Sequence, residues 1–344
     1  MAQPDEPSLS QTRAAAVIPG WLWPHVLSLE APAVAVLWAL ALGELHGVPW
    51  WPGVLPGLAL CVWTIYLADR TIDTLGQRPE QLDVRHRVYW RWRRILLGVL
   101  IPACVVGLTW LALWVVPAAL IWQTGALGML VVLYLAVYAA AERTYLYQML
   151  VGVVCLVALF IVNAMPLTPE FKTAGLALVA VMLFLLMLQR TRRRLLTVVP
   201  KEIAGGLFFA MGCAAWVRFL GIGGGFLSGA LETVVLAALF TCNLTGITAR
   251  QRDDDATPQP NTPELGHEGL LIGLGLLSGV AIVGAQSRWV SDRLAPLGWA
   301  VAAGALLLAV LHVRRRRVSL DAYRVLADVA VAAPALGLWL WARH

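Results

Sequence analysis

Runs of about 20 apolar residues recur along the whole chain, each long enough to cross a bilayer as a helix rising 1.5 Å per residue. The sequence predicts eleven such spans, at 26–47, 52–69, 94–115, 118–140, 147–165, 173–189, 202–219, 228–248, 268–286, 295–313 and 322–341. Composition agrees. Of the 344 residues 60% are hydrophobic and only 13% charged, with a mean hydropathy of +0.74, values that an ordinary soluble domain does not reach. The expected fold is an all-α polytopic transmembrane bundle, with residues 1–25 as a cytoplasmic tail and 26–344 as one helical domain.

The basic residues test this count independently, because cytoplasmic loops collect Lys and Arg. With the N-terminus inside and eleven spans, 21 of the 26 basic residues fall on the cytoplasmic side, leaving Lys172, Arg218, Arg288, Arg293 and Arg343 outside. Nine spans satisfy the same rule. An odd number places the C-terminus outside, and the expected location is the cytoplasmic (inner) membrane.

Several classes are disfavoured. The first 25 residues hold no apolar core ahead of a small-residue cleavage site, so no signal peptide is expected. The five cysteines, at 61, 104, 155, 213 and 242, stand singly inside predicted spans and read as apolar packing residues. The net charge of +6 belongs to basic loops facing anionic lipid headgroups. It does not call for a nucleic-acid partner. The run "GIGGGF" at 221–226 lacks the Lys-Ser/Thr of a phosphate-binding loop and reads as a turn.

Two acidic stretches stand where spans give way to water. "IYLADRTIDT", 65–74, places Asp69 and Asp73 four apart, on one helical face with Tyr66 and Arg70 along the same stripe. Two carboxylates so placed can hold Mg²⁺ together with waters and substrate phosphate oxygens. The simpler alternative is an interfacial helix end in which Asp pairs with Arg. The second stretch, "CNLTGITARQRDDDATPQPN" at 242–261, carries Asn243 toward the membrane, then Gln251, Arg252 and the acids Asp253, Asp254 and Asp255. The topology puts both stretches on the cytoplasmic side, an arrangement suited to a diphosphate clamped through metal ions. Positive charge for a diphosphate is available between them. "DVRHRVYWRWRR", 83–94, offers Arg85 and Arg87, and Lys201 opens the seventh span. The interleaved aromatics of that basic stretch read as a membrane-interface anchor.

At these residues the sequence resembles the UbiA superfamily of intramembrane prenyltransferases. Members carry a first motif, N-D-x-x-D-x-x-x-D, after the second helix, and a second acidic motif after the sixth. Ile65 to Asp73 overlays the first with both later aspartates present, its "ADRxxD" being similar to the hydroxybenzoate polyprenyltransferase branch. Gln251 to Asp255 resembles the D-R-D-D-D form of the second. The chain departs from the pattern where Ile65 and Tyr66 replace Asn-Asp and where Gln251 replaces an aspartate, so weaker metal affinity is expected. A nine-helix UbiA-like core also leaves two of the eleven spans as an inserted pair.

The resemblance implies an enzyme that transfers an isoprenoid group from a Mg²⁺-bound prenyl diphosphate to an aromatic or lipid acceptor within the bilayer. It implies Asp69, Asp73 and Asp255 as catalytic residues and Asp69, Asp73, Asp253 and Asp255 as metal ligands. Tyr66, Arg70, Arg85, Arg87, Lys201, Asn243, Gln251 and Arg252 would bind substrate. No base for the acceptor is assigned. The lost motif residues also suit a non-catalytic lipid- or partner-binding member, and a secondary transporter is a third alternative, although clear inverted repeats are missing. Three ionisable residues inside spans add expectations: Glu30 can face the aspartates' cavity, while Glu232 is expected to pair with an Arg and Asp328 with Arg324.

Overall fold

The computed structural model describes residues 19–74, 82, 84–138, 200–220, 226–254, 267–286 and 294–344. Among these the chain forms eleven α-helices and no strand. They are α1 Trp23–Val26, α2 Glu30–Leu45, α3 Val54–Thr74, α4 Val84–Ile95, α5 Ile101–Trp114, α6 Ala118–Tyr138, α7 Lys201–Phe219, α8 Phe226–Asp254, α9 His267–Gln286, α10 Leu294–Val313 and α11 Leu320–Ala342. Nine of the eleven expected spans coincide with helices; 147–165 and 173–189 lie outside the described residues.

Among the described residues six helices are long and apolar enough to cross a membrane: Arg85–Trp114, Lys201–Phe219, Ser228–Asp253, His267–Gln286, Leu294–Val313 and Leu320–Ala342. The pair Gly20–Val26 and Glu30–Leu45, bent by 77°, makes a seventh if it is one span. These helices make the chain a multi-pass membrane protein by length and composition. The first of them holds a difference from the sequence reading. A π turn at Leu96–Leu100 joins α4 to α5, so the basic aromatic stretch continues the span as helix. On α4 Arg85 and Tyr89, four apart, turn inward and are buried, while Arg91, Trp92 and Arg94 are exposed.

Large apolar side chains cover the outside of the bundle, while the interior holds Trp, Phe and Leu together with small residues where helices come closest. Val106, Trp114, Leu276, Val283 and Val313 are exposed. Inside, α8 lies against α7, α9, α10 and α11, while α2 lies against α3, α7 and α11. Trp38 of α2, fully buried, meets Phe240 of α8 edge-on at 6.2 Å between ring centroids. A close seam is α7 on α8. A Cβ added at Gly206 would meet the Thr241 amide nitrogen at 2.7 Å and the Ala237 carbonyl oxygen at 2.8 Å, so only glycine permits this approach. Cys104 and Cys213 are buried and, with Cys61 and Cys242, free, in line with a packing role.

Long-range hydrogen bonds define two ends of the bundle. At one end Trp216 donates to the Pro49 carbonyl at 3.1 Å and Trp51 to the Val115 carbonyl at 2.7 Å. His46 and Arg218 meet Glu232 at this same end. The other end gathers the starts of α2, α7, α9 and α11 and the finishes of α3, α8 and α10. Tyr134 there donates to the Lys201 carbonyl at 3.1 Å, and Arg250 donates to the Arg315 and Val318 carbonyls.

Candidate functional site

The second end carries every described candidate residue. Tyr66, Asp69, Arg70 and Asp73 occupy the last turns of α3, where Arg70 lies in the electrostatic reach of both aspartates, of Tyr66 and of Tyr89. Thr71 and Thr74 are fully buried and return their hydroxyls to helix carbonyls, at 2.6 Å to Leu67 and 2.7 Å to Thr71, which leaves the acidic face as the accessible one. Tyr66, Asp69, Arg70 and Asp73 are half-buried.

A second group of polar residues closes on this face from α1, α2, α4, α8 and α11. Its position depends on one backbone feature: Ser28 takes φ 53°, a left-handed conformation uncommon outside glycine, and the chain turns there through 77° between α1 and α2. The Ser28 hydroxyl is 2.9 Å from the Tyr89 hydroxyl. The turn brings His25 Nδ1 to 2.5 Å from Glu30, and His25 Nε2 lies 3.3 Å from the Arg85 guanidinium. Glu30, in the first turn of α2, is also favoured there by the helix dipole.

Glu30 in turn faces Asp328 of α11, within hydrogen-bonding reach. Asn243 donates from Nδ2 to Asp328 at 3.1 Å, while its own Oδ1 has no hydrogen-bond partner among the described residues. The expected pairing of Asp328 with Arg324 is therefore corrected. Arg324, on the neighbouring buried face, takes Asp321 at 3.5 Å and the Gln251 carbonyl oxygen at 3.1 Å. Tyr66 joins the two groups, since it lies in the electrostatic range of Asp69, Arg70, Arg85 and Asp328 together.

The second acidic stretch divides. Asp253 turns its oxygens to His267 at 2.9 Å and Arg315 at 3.4 Å. Behind them His267 Nδ1 stands 3.1 Å from His312 Nε2, and His312 Nδ1 stands 3.0 Å from the Tyr323 hydroxyl. A continuous hydrogen-bonded chain thus runs from buried Tyr323 to the surface at Asp253. The side chain of Asp254 and the whole of Asp255 lie outside the described residues. Arg252 lines a shallow depression with Pro200, Glu202, Ile203, Thr245, Thr248 and Ala249, beside exposed Lys201. Arg87 is half-buried on α4.

Among the described residues no group of three or more His, Cys, Asp or Glu side chains is placed to hold a metal. Two carboxylates one turn apart, at Asp69 and Asp73, do fit a Mg²⁺ that arrives with a diphosphate, because substrate oxygens and waters complete its octahedron. Asp253 fits less well, its oxygens being engaged. The sequence reading missed His25, Ser28, Tyr89, His267, His312 and Tyr323, none of which forms a local motif. No family model, curated protein or solved structure matches the chain.

Proposed function

We propose that the protein is a UbiA-like intramembrane prenyltransferase, binding an isoprenoid diphosphate at the cytoplasmic end of its bundle with the prenyl tail among the apolar helices. The observation that carries this reading is the last turns of α3: Asp69, Arg70 and Asp73 stand half-buried at the end of an apolar bundle, with Tyr66 and Arg85 beside them. Two carboxylates and two guanidiniums at the end of an apolar helical bundle suit a ligand that is anionic at one end and hydrocarbon at the other.

Within this reading Asp69 and Asp73 hold Mg²⁺, with Asp255 as a further carboxylate from the second motif. When bound, the ion offsets the charge that grows on the departing diphosphate. Arg70 and Arg85 neutralise the same oxygens, and Arg87, Lys201 and Arg252 raise the positive potential at the entrance. The surrounding helices exclude water, so the allylic carbon meets the acceptor before it meets a hydroxide. The orientation that supports this is N-terminus inside and C-terminus outside, as the basic residues favour.

A second reading, a non-catalytic member that binds a lipid or a partner, is favoured by the second motif. Gln251 is held by Arg324, and Asp253 by His267 and Arg315. Transfer of labelled prenyl diphosphate in purified membranes, across a Mg²⁺ titration and a broad acceptor panel, separates the two. The transferase reading expects labelled product that rises with Mg²⁺ and disappears in Asp69→Asn. Absence of product from the wild type at every Mg²⁺ concentration would leave the binder.

A further inference from the structure

Four consecutive arginines, 314–317, join α10 to α11, and the fold divides them. Arg315 turns inward, its Nε 3.4 Å from Asp253 and its guanidinium donating to the His312 carbonyl at 3.2 Å. Buried Arg250 of α8 closes the turn from within, donating to the Arg315 carbonyl at 3.2 Å and to the Val318 carbonyl at 3.3 Å. The backbone of the turn is therefore held from inside the bundle. Arg314, Arg316 and Arg317 are exposed, and their guanidiniums have no hydrogen-bond or ion-pair partner among the described residues. The acids of this corner do not answer them, because Asp253 faces His267 and Arg315, and Asp321 faces Arg324 at 3.5 Å.

An exposed apolar stripe leads up to these charges. On α10 Leu306, Val310 and Val313 stand at i, i+4 and i+7 along one face and are all exposed, and Arg314 follows Val310 one turn later. We propose that the α10–α11 turn binds one anionic phospholipid, its phosphate against Arg314, Arg316 and Arg317 and an acyl chain along Leu306, Val310 and Val313. Guanidiniums suit a phosphate because their N–H fork meets two of its oxygens at once. A zwitterionic headgroup fits worse, since its ammonium adds a positive charge beside three that are already unmatched. Any basic loop is drawn to an anionic leaflet by charge alone. This turn adds position, with its charges on a braced backbone at the end of a surface that an acyl chain can cover. The inference goes beyond the transferase reading and needs nothing from it.

The test is native mass spectrometry of the purified full-length protein in detergent, titrated with dioleoyl phosphatidylglycerol or dioleoyl phosphatidylcholine, which share their tails. The wild type should bind its first phosphatidylglycerol at least about tenfold more tightly than its first phosphatidylcholine, since each arginine near an anionic headgroup is worth about fivefold. Arg314→Gln combined with Arg317→Gln should remove most of that preference and leave phosphatidylcholine binding within about twofold. A charge-matched control, Arg91→Gln combined with Arg94→Gln on the exposed face of α4, should keep the preference within about twofold. All these arginines are exposed, so both variants should fold. Equal affinity of the wild type for the two lipids overturns the proposal without any variant being made. A preference that survives in the Arg314 and Arg317 variant overturns it too, and an equal loss in the α4 control reduces the site to diffuse attraction. Soluble glycerol phosphate at the same concentration should displace no phosphatidylglycerol; displacement would leave a site for phosphate alone and overturn the lipid.

Discussion

Glu232 and Glu30 are both carboxylates set among apolar helices, and the protein closes over one while leaving the other open. Glu232, 1% exposed, accepts from Arg218 across the α7–α8 seam and lies 3.1 Å from His46, so a guanidinium and an imidazole face one acid. Glu30 also has a histidine, but its other neighbour is a second acid, Asp328, and both acids stay half-buried. Intramembrane ionisable groups are costly wherever they sit. The difference lies in what offsets the cost: a guanidinium and an imidazole at the Glu232 end, and the His25 imidazole and the Asn243 amide at the Glu30 end. The first arrangement fastens helices together; the second stands beside the α3 face to which the proposed function assigns the diphosphate.

If that contrast is right, substitutions at the open end change activity before stability, and those at the closed end do the reverse. The largest effect is expected at Asp69. Asp69→Asn keeps the shape and removes one charge from the face proposed to meet the diphosphate, so transfer should fall by about 100-fold or more. Thermal unfolding in detergent should hardly move. A variant that unfolds early would place Asp69 in the fastening class.

The next effect is expected at Glu232. Removing one partner of a buried pair strands the other charge, so Glu232→Ala should destabilise the protein by about 3–5 kcal/mol through uncompensated Arg218. Measured unfolding within 1 kcal/mol of the wild type, a limit set by the weakness of surface pairs, would show that water reaches this cluster after all. Gly206→Val should cost about 1–3 kcal/mol by prising α7 from α8, and prenyl-diphosphate affinity should be retained.

The helices were legible because hydrophobic run length is local information: nine expected spans coincide with helices, although α3 and α8 run on past the expected ends through their acidic stretches and α4 carries its span back through Arg85–Ile95. The acidic face of α3 was legible for the same reason, since Asp69 and Asp73 are one turn apart. The Glu30–Asp328–Asn243 group was not. Its members come from α2, α11 and α8, and no spacing along the chain encodes which faces of distant helices meet. Asp328 shows the error that follows. Arg324 one turn earlier was the obvious local partner, yet Arg324 turns to Asp321 and Gln251. Ser28 was hidden too, because nothing in "HVLSLE" announces a left-handed serine.

The smallest expected effect sharpens the comparison most, because it concerns a residue on which sequence and structure pull apart. By position Gln251 stands for a motif aspartate, whereas by contact its carbonyl oxygen accepts from Arg324 at 3.1 Å. Gln251→Glu preserves the side-chain length and turns that bond into a charge-assisted one. Because Gln251 is exposed, screening should limit the change in stability to less than about 1 kcal/mol. With its carboxylate drawn to Arg324, the variant should also need as much Mg²⁺ as the wild type for transfer. A fall in the Mg²⁺ requirement of about tenfold, the free energy of one well-made charged ligand contact, would mean that residue 251 swings to the α3 face when diphosphate binds. The cluster of Gln251, Asp253 and His267 would then belong with the diphosphate-binding face of α3.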